Sequence, residues 1–162
     1  MSPIAESRPR RPFAACIYAG LLAGSLDLLY VFVFHGMRGV SPERILQYIA
    51  SGLQGAAAFQ GGYASAALGT AAHYFILIVA AGLYLAASRR LPWLVRQAAV
   101  AGILYGAAIY ITMRFVVVPL SAVNVGANTG WTLAQITNLL MHLFVIGPAL
   151  TLGLRRWVWP RR

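Results

Sequence analysis

Four long apolar runs, separated by short polar or glycine-rich stretches, organise the chain; they cover about 13–36, 63–88, 97–120 and 131–154. Each is long enough to cross a hydrocarbon core of about 30 Å as a tilted helix, which takes about 20 residues. The stretch 41–54 reads differently. Ser41 can cap a helix there, Pro42 suits its first position, and Glu43 favours the positive end of its dipole. Ile45, Leu46, Ile49 and Leu53 share one face, and Arg44, Gln47, Ser51 and Gln54 share the other. Such a helix should lie flat in the membrane interface or cover the mouth of the bundle. Gly55 and the pair Gly61-Gly62 then break the chain before the second long run. The expected fold is all-α: one integral membrane domain spanning 1–162, a four-transmembrane-helix bundle with a short external amphipathic helix.

Composition agrees with lipid as the main solvent. The 162 residues are 60% hydrophobic and only 10% charged, whereas ordinary soluble domains are about a quarter charged. The net charge of +10 comes from thirteen arginines against Glu6, Asp27 and Glu43. The arginines do not form the continuous basic face that a nucleic acid site requires, so no nucleic acid partner is expected. They sit beside the apolar runs, at Arg8, Arg10 and Arg11, at Arg89, Arg90 and Arg96, and at Arg155, Arg156, Arg161 and Arg162. By the positive-inside rule these regions are cytoplasmic, which places both termini inside a bacterial inner membrane and offers contacts for anionic lipid headgroups. Trp93, Trp157 and Trp159 fall at the same boundaries and Trp131 at the opposite one. The single cysteine, Cys16, lies in the first run and supports neither a disulfide framework nor a cysteine metal site. The first run also starts like a signal peptide, but it continues to Gly36, carries Asp27 and lacks a small-residue cleavage site, so it reads as a retained helix.

A weak internal repeat sets Ala19-Gly20-Leu21-Leu22-Ala23-Gly24 against Ala101-Gly102-Ile103-Leu104-Tyr105-Gly106, and His73-Tyr74-Phe75 against His142-Leu143-Phe144. The pattern suggests two repeated helical hairpins, related by an axis along the membrane normal.

Each crossing carries a ladder of small or polar residues that leads to one ionisable side chain. The ladders are Gly20, Gly24 and Asp27; Ser65, Gly69 and His73; Gly102, Gly106, Tyr110 and Arg114; and Gln135, Asn138 and His142. Spacings of three and four keep each ladder on one helical face. Glycines so placed let helix backbones approach closely in lipid, which makes Gly20, Gly24, Gly69, Gly102 and Gly106 the expected packing positions. Counted from the nearest basic cluster at about 1.5 Å per residue, Asp27, His73, Arg114 and His142 lie about 20 to 27 Å deep. They form one expected layer, together with Asn138.

A lone Asp or Arg near the middle of a membrane helix is unfavourable by about 2.5 to 3.5 kcal/mol, so each must find a partner or water. The first reading is structural. Asp27 pairs with Arg114, the histidines hydrogen-bond around them, and the protein is a non-enzymatic homo-oligomer or a subunit of a larger membrane complex. Arg114 could instead snorkel outward past Pro119. A second reading is a proton or small-solute pathway, since relays use these side chains. A third is a b-haem electron carrier with His73 and His142 as axial ligands on the second and fourth helices. No other cofactor and no metal are expected, and no soluble-type catalytic motif is present.

The glycine-rich first helix, the histidines His73 and His142, the Val117-Val118-Pro119-Leu120 ending of the third helix and the closing Arg155-Arg156 pair resemble the small bacterial inner-membrane proteins of the YagU-like type. The resemblance covers the four crossings and omits the 37–62 connection. It implies location and topology and leaves molecular activity open; its matching residues are His73, Pro119 and His142, while Asp27 and Arg114 have no match in it.

Overall fold

The computed structural model describes residues 12–123 and 131–158, so the arginine positions at 8, 10, 11, 161 and 162 and Trp159 lie outside it. Among the described residues four helices are long and apolar enough to cross a membrane: α1 Pro12–Gly36, α3 Gly62–Ser88, α4 Ala98–Leu120 and α5 Leu133–Val158. A shorter helix, α2 Pro42–Gln54, follows α1 and runs into a six-residue 3₁₀ segment, Gly55–Gln60. One helical turn, Pro92–Arg96, joins α3 to α4. No strand is present among the described residues. The expected all-α four-helix bundle is the observed fold.

Helix α5 is its centre. It packs along α1 on one side and α4 on the other, and α1 in turn packs along α3. The largest fully enclosed side chains, Ile146, Leu150, Thr151, Leu154 and Val158, all belong to α5 and recur at the spacing of one helical face. Helices α3 and α4 meet mainly through Tyr105, whose hydroxyl donates to the Ala80 carbonyl at 2.7 Å and whose ring lies 5.0 Å from that of Tyr84. Tyr18 near the start of α1 stacks on Trp157 near the end of α5 at 5.0 Å. That contact puts Arg155 and Arg156 beside the start of α1, and with Arg89, Arg90 and Arg96 they define one arginine-rich end of the bundle.

Glycine decides how closely the helices approach. A Cβ at Gly20 would meet the Ile78 backbone at 2.8 Å, one at Gly102 the Pro148 backbone at 2.8 Å, and one at Gly106 would run into the His142 carbonyl. Gly69 differs from expectation in its partner. It is buried against Leu46 and Ala50 of α2, not against another long helix. The contacts of the two hairpins correspond: Gly24 faces His73 as Gly106 faces His142, and Gly20 faces Ile78 as Gly102 faces Pro148.

The second hairpin fits one more residue between its two contacts than the first because α5 contains a widened turn. Residues His142–Ile146 of α5, and Met113–Val117 of α4, are π-helical. Each segment ends two residues before a proline, Pro148 or Pro119, which has no N–H to donate and whose ring crowds the carbonyl four residues back. The residue just before each proline bonds five back instead, Gly147 to His142 and Val118 to Met113. The two π-turns also mark where tight packing stops. Beyond Tyr110 on α4, and before His142 on α5, no residue is buried.

Helix α2 starts as the sequence predicts, with the Ser41 hydroxyl accepting from the Arg44 N–H at 3.2 Å. Its faces do not follow the expected division. Gln47 and Ser51, assigned to the polar face, are buried, while Leu53 is 65% exposed. Gln47 donates to Glu43 at 3.1 Å and to the Gly62 carbonyl at 3.3 Å, and Ser51 donates to the Tyr48 carbonyl at 2.6 Å. The buried face of α2 is therefore mixed, with Ile45 and Ala50 beside Gln47 and Ser51, and its polar groups are satisfied by protein oxygen atoms. The helix packs on the first half of α3 and is tied to the end of α4 by a 2.9 Å bond from the Ala122 N–H to the Gly52 carbonyl. It therefore spans the α3–α4 gap at the α2 end of the bundle, opposite the arginine-rich end.

Candidate functional site

The ionisable side chains gather where the tightly packed half of the bundle ends. Because Gly24 has no side chain, α3 comes close enough for His73 Nε2 to lie 3.0 Å from the Gly24 carbonyl; a Cβ there would be 2.9 Å from the Tyr74 ring. A carbonyl can only accept, so Nε2 carries the hydrogen. The neutral imidazole then turns a bare Nδ1 towards Asp27, one turn further along α1, and Nδ1 is 3.9 Å from Asp27 Oδ2. The other carboxyl oxygen, Oδ1, is enclosed with no partner among the described residues.

His142 enters from α5 and is buried. Its Nδ1 donates to the carbonyl of Asn138 at 2.9 Å, which leaves Nε2 without the hydrogen in the neutral ring. Asn138 therefore joins the layer through its backbone. The His142–Ile146 segment packs against α1, the helix that carries Asp27, so histidines from two different helices approach α1. The three groups do not converge as the ligands of one ion would; among the described residues no three His, Cys, Asp or Glu side chains do.

Arg114 is not where the structural pairing would place it. Among the described residues the basic group within ion-pair distance of Asp27 is His73, not Arg114. Arg114 sits in the π-turn of α4 and leans away over aromatic rings, with its guanidinium carbon 5.1 Å from the Trp131 centroid and 5.5 Å from that of Phe115. Its Nε is enclosed and has no partner among the described residues. An aromatic file joins the two places. Tyr110 is edge-on to His142 at 5.6 Å and stacks with Trp131 at 6.4 Å, and its hydroxyl donates to the Gln135 carbonyl at 3.2 Å.

The expected layer thus divides into an inner cluster of Asp27, His73 and His142 and a separate Arg114 nearer the α2 end. The chain matches no protein-family model, no curated protein and no solved structure.

Proposed function

We propose that the protein is a non-enzymatic multi-pass protein of the bacterial inner membrane, with both termini cytoplasmic, that passes protons, alone or with a small solute, through Asp27 and its two histidines. The observation that carries this reading is the half-satisfied carboxyl group: Oδ1 is enclosed without a partner among the described residues, and Oδ2 is 3.9 Å from a bare imidazole nitrogen. A carboxylate built only to lock helices together would be fully hydrogen-bonded, because an unsatisfied buried polar group costs about 1–3 kcal/mol and more when charged.

The hydrogen count gives the mechanism. With Nε2 of His73 donating to Gly24, the Asp27–His73 pair is electrically neutral when it holds one further proton, on Oδ2 or on Nδ1. Losing that proton leaves a net negative charge inside a low-dielectric bundle, which costs several kcal/mol. At 3.9 Å the proton does not pass directly; a small side-chain rotation or a bridging water brings donor and acceptor within the about 2.6–3.2 Å that transfer needs. His142, with its own bare Nε2, is the second acceptor.

A structural role is the second reading, favoured by the 3.0 Å His73–Gly24 bond that crosslinks α1 to α3. The YagU-like resemblance is compatible with either. Haem ligation fits less well, since His73 Nε2 already serves the Gly24 carbonyl and would have to give up that bond.

The test is dissipation of an imposed pH gradient in liposomes carrying the purified protein and an internal pH-sensitive dye. The protein should dissipate the gradient faster than empty vesicles do, and Asp27→Asn, eluting as a monodisperse species like the parent, should return the rate to that of empty vesicles. Asp27→Asn that fails to fold supports the structural reading instead. Unchanged flux in a folded Asp27→Asn would refute the proton pathway.

A further inference from the structure

Arg114 lies in the part of α4 that buries no residue, and its surroundings point to a ligand that comes from the bilayer. Trp131 and Phe115 hold the guanidinium by their ring faces at 5.1 and 5.5 Å. Such contacts attract a cation but satisfy none of its five N–H donors. No carboxylate among the described residues pairs with it. Phe115 and Trp131 beside it are both strongly exposed, as are Val116 and Leu120 on the same end of α4, so the site opens sideways among apolar side chains.

The level along the helix is also informative. Arg114 precedes the end of α4 at Leu120 by six residues, about 9 Å of helix rise. A snorkelling arginine closes much of that distance and brings its terminal nitrogens towards the headgroup region, where Trp131 also belongs.

We infer that Arg114 and Trp131 form a binding site for the phosphate of an anionic phospholipid at the α2 end of the bundle. A guanidinium takes a phosphate through two parallel N–H bonds, and the indole and Phe115 flank the upper part of the acyl chains. The ligand is a lipid because the approach is lateral and apolar. It is anionic because a fixed cation without a fixed protein anion leaves a charge to neutralise, in a chain that already carries +10. The site is independent of the proton pathway.

The experiment places the full-length protein in phosphatidylcholine vesicles that contain either brominated phosphatidylglycerol or brominated phosphatidylcholine. Trp93, Trp157 and Trp159 are replaced by Phe so that Trp131 is the only indole. Brominated phosphatidylglycerol should quench Trp131 several-fold more effectively than the brominated neutral lipid at equal mole fraction. Arg114→Gln should abolish that preference, and Arg114→Lys should keep part of it. Equal quenching by the two lipids in the Arg114 protein overturns the proposal without reference to any variant, as does a preference that survives in Arg114→Gln. Abolition of the preference by added inorganic phosphate would make the ligand a soluble anion and overturn the lipid assignment.

Discussion

Replacing Gly106 by alanine should loosen the α4–α5 contact that holds the second hairpin together. The added Cβ would run into the His142 carbonyl oxygen and lie 2.6 Å from its carbon. Ordinary carbon contacts are about 3.5–4.0 Å, so the two backbones must part by about 1 Å, and neither is the flexible end of a side chain. Overpacking a well-filled contact costs about 1–3 kcal/mol, roughly a five- to more than hundred-fold change in the folding equilibrium. Gly82 on α3 is the matched control, because nothing lies within 4 Å of a Cβ built there; alanine at that position should be neutral or slightly stabilising through its better helix propensity. The assay is reversible SDS-driven unfolding in mixed micelles, followed by circular dichroism. Gly106→Ala should unfold at clearly lower SDS and Gly82→Ala at or above the parent value. Equal midpoints for Gly106→Ala and the parent would refute the claim that glycine sets the helix separation.

Other substitutions probe single bonds. Thr151→Val preserves shape but removes the buried 2.7 Å bond from the Thr151 hydroxyl to the Ala98 carbonyl; it should cost about 1 kcal/mol in the same SDS assay. Tyr105→Phe removes the hydroxyl that bridges α4 to the Ala80 carbonyl; a similar loss of about 1 kcal/mol is expected, with faster hydrogen exchange on the facing turns of α3 and α4. Ser41→Ala removes the cap of α2 and should weaken that helix by about 1 kcal/mol, read as faster exchange confined to α2, with the long helices unchanged.

The number and extent of the long helices were legible because lipid imposes a length and an apolar composition on any crossing segment. The glycine ladders were legible for a related reason: spacings of three and four define a face whatever that face meets. What a face meets is not encoded in its period. Asp27 lies on α1, which packs against both α3 and α5, and periodicity could not tell that its ion-pair neighbour would be His73 while Arg114 leaned away over Trp131. Helix α2 shows the opposite difficulty. Its polar and apolar faces were read as they would be in water, yet Gln47 and Ser51 turn inward to reach protein oxygen atoms and Leu53 faces out.

The π-turns have a signal in the sequence. Pro119 follows Arg114 by five residues and Pro148 follows His142 by six, so each proline widens the turn that carries one of the ionisable residues. Counting at 3.6 residues per turn through those segments misplaces the residues beyond them by about 100° of rotation. The Thr132–Gln135 capping box at the start of α5 was likewise present in the sequence as a threonine followed three residues later by glutamine.

The central claim is that Asp27 exchanges a proton inside the bundle, and infrared difference spectroscopy of the reconstituted protein between acid and alkaline pH tests it most directly. The chain has only three carboxylic side chains, Glu6, Asp27 and Glu43, so the carboxyl region is simple enough to assign by substitution. The account predicts a pH-dependent carboxyl C=O band that persists in Glu6→Gln and Glu43→Gln and vanishes in Asp27→Asn. A spectrum in which no band attributable to Asp27 changes across that range would contradict it.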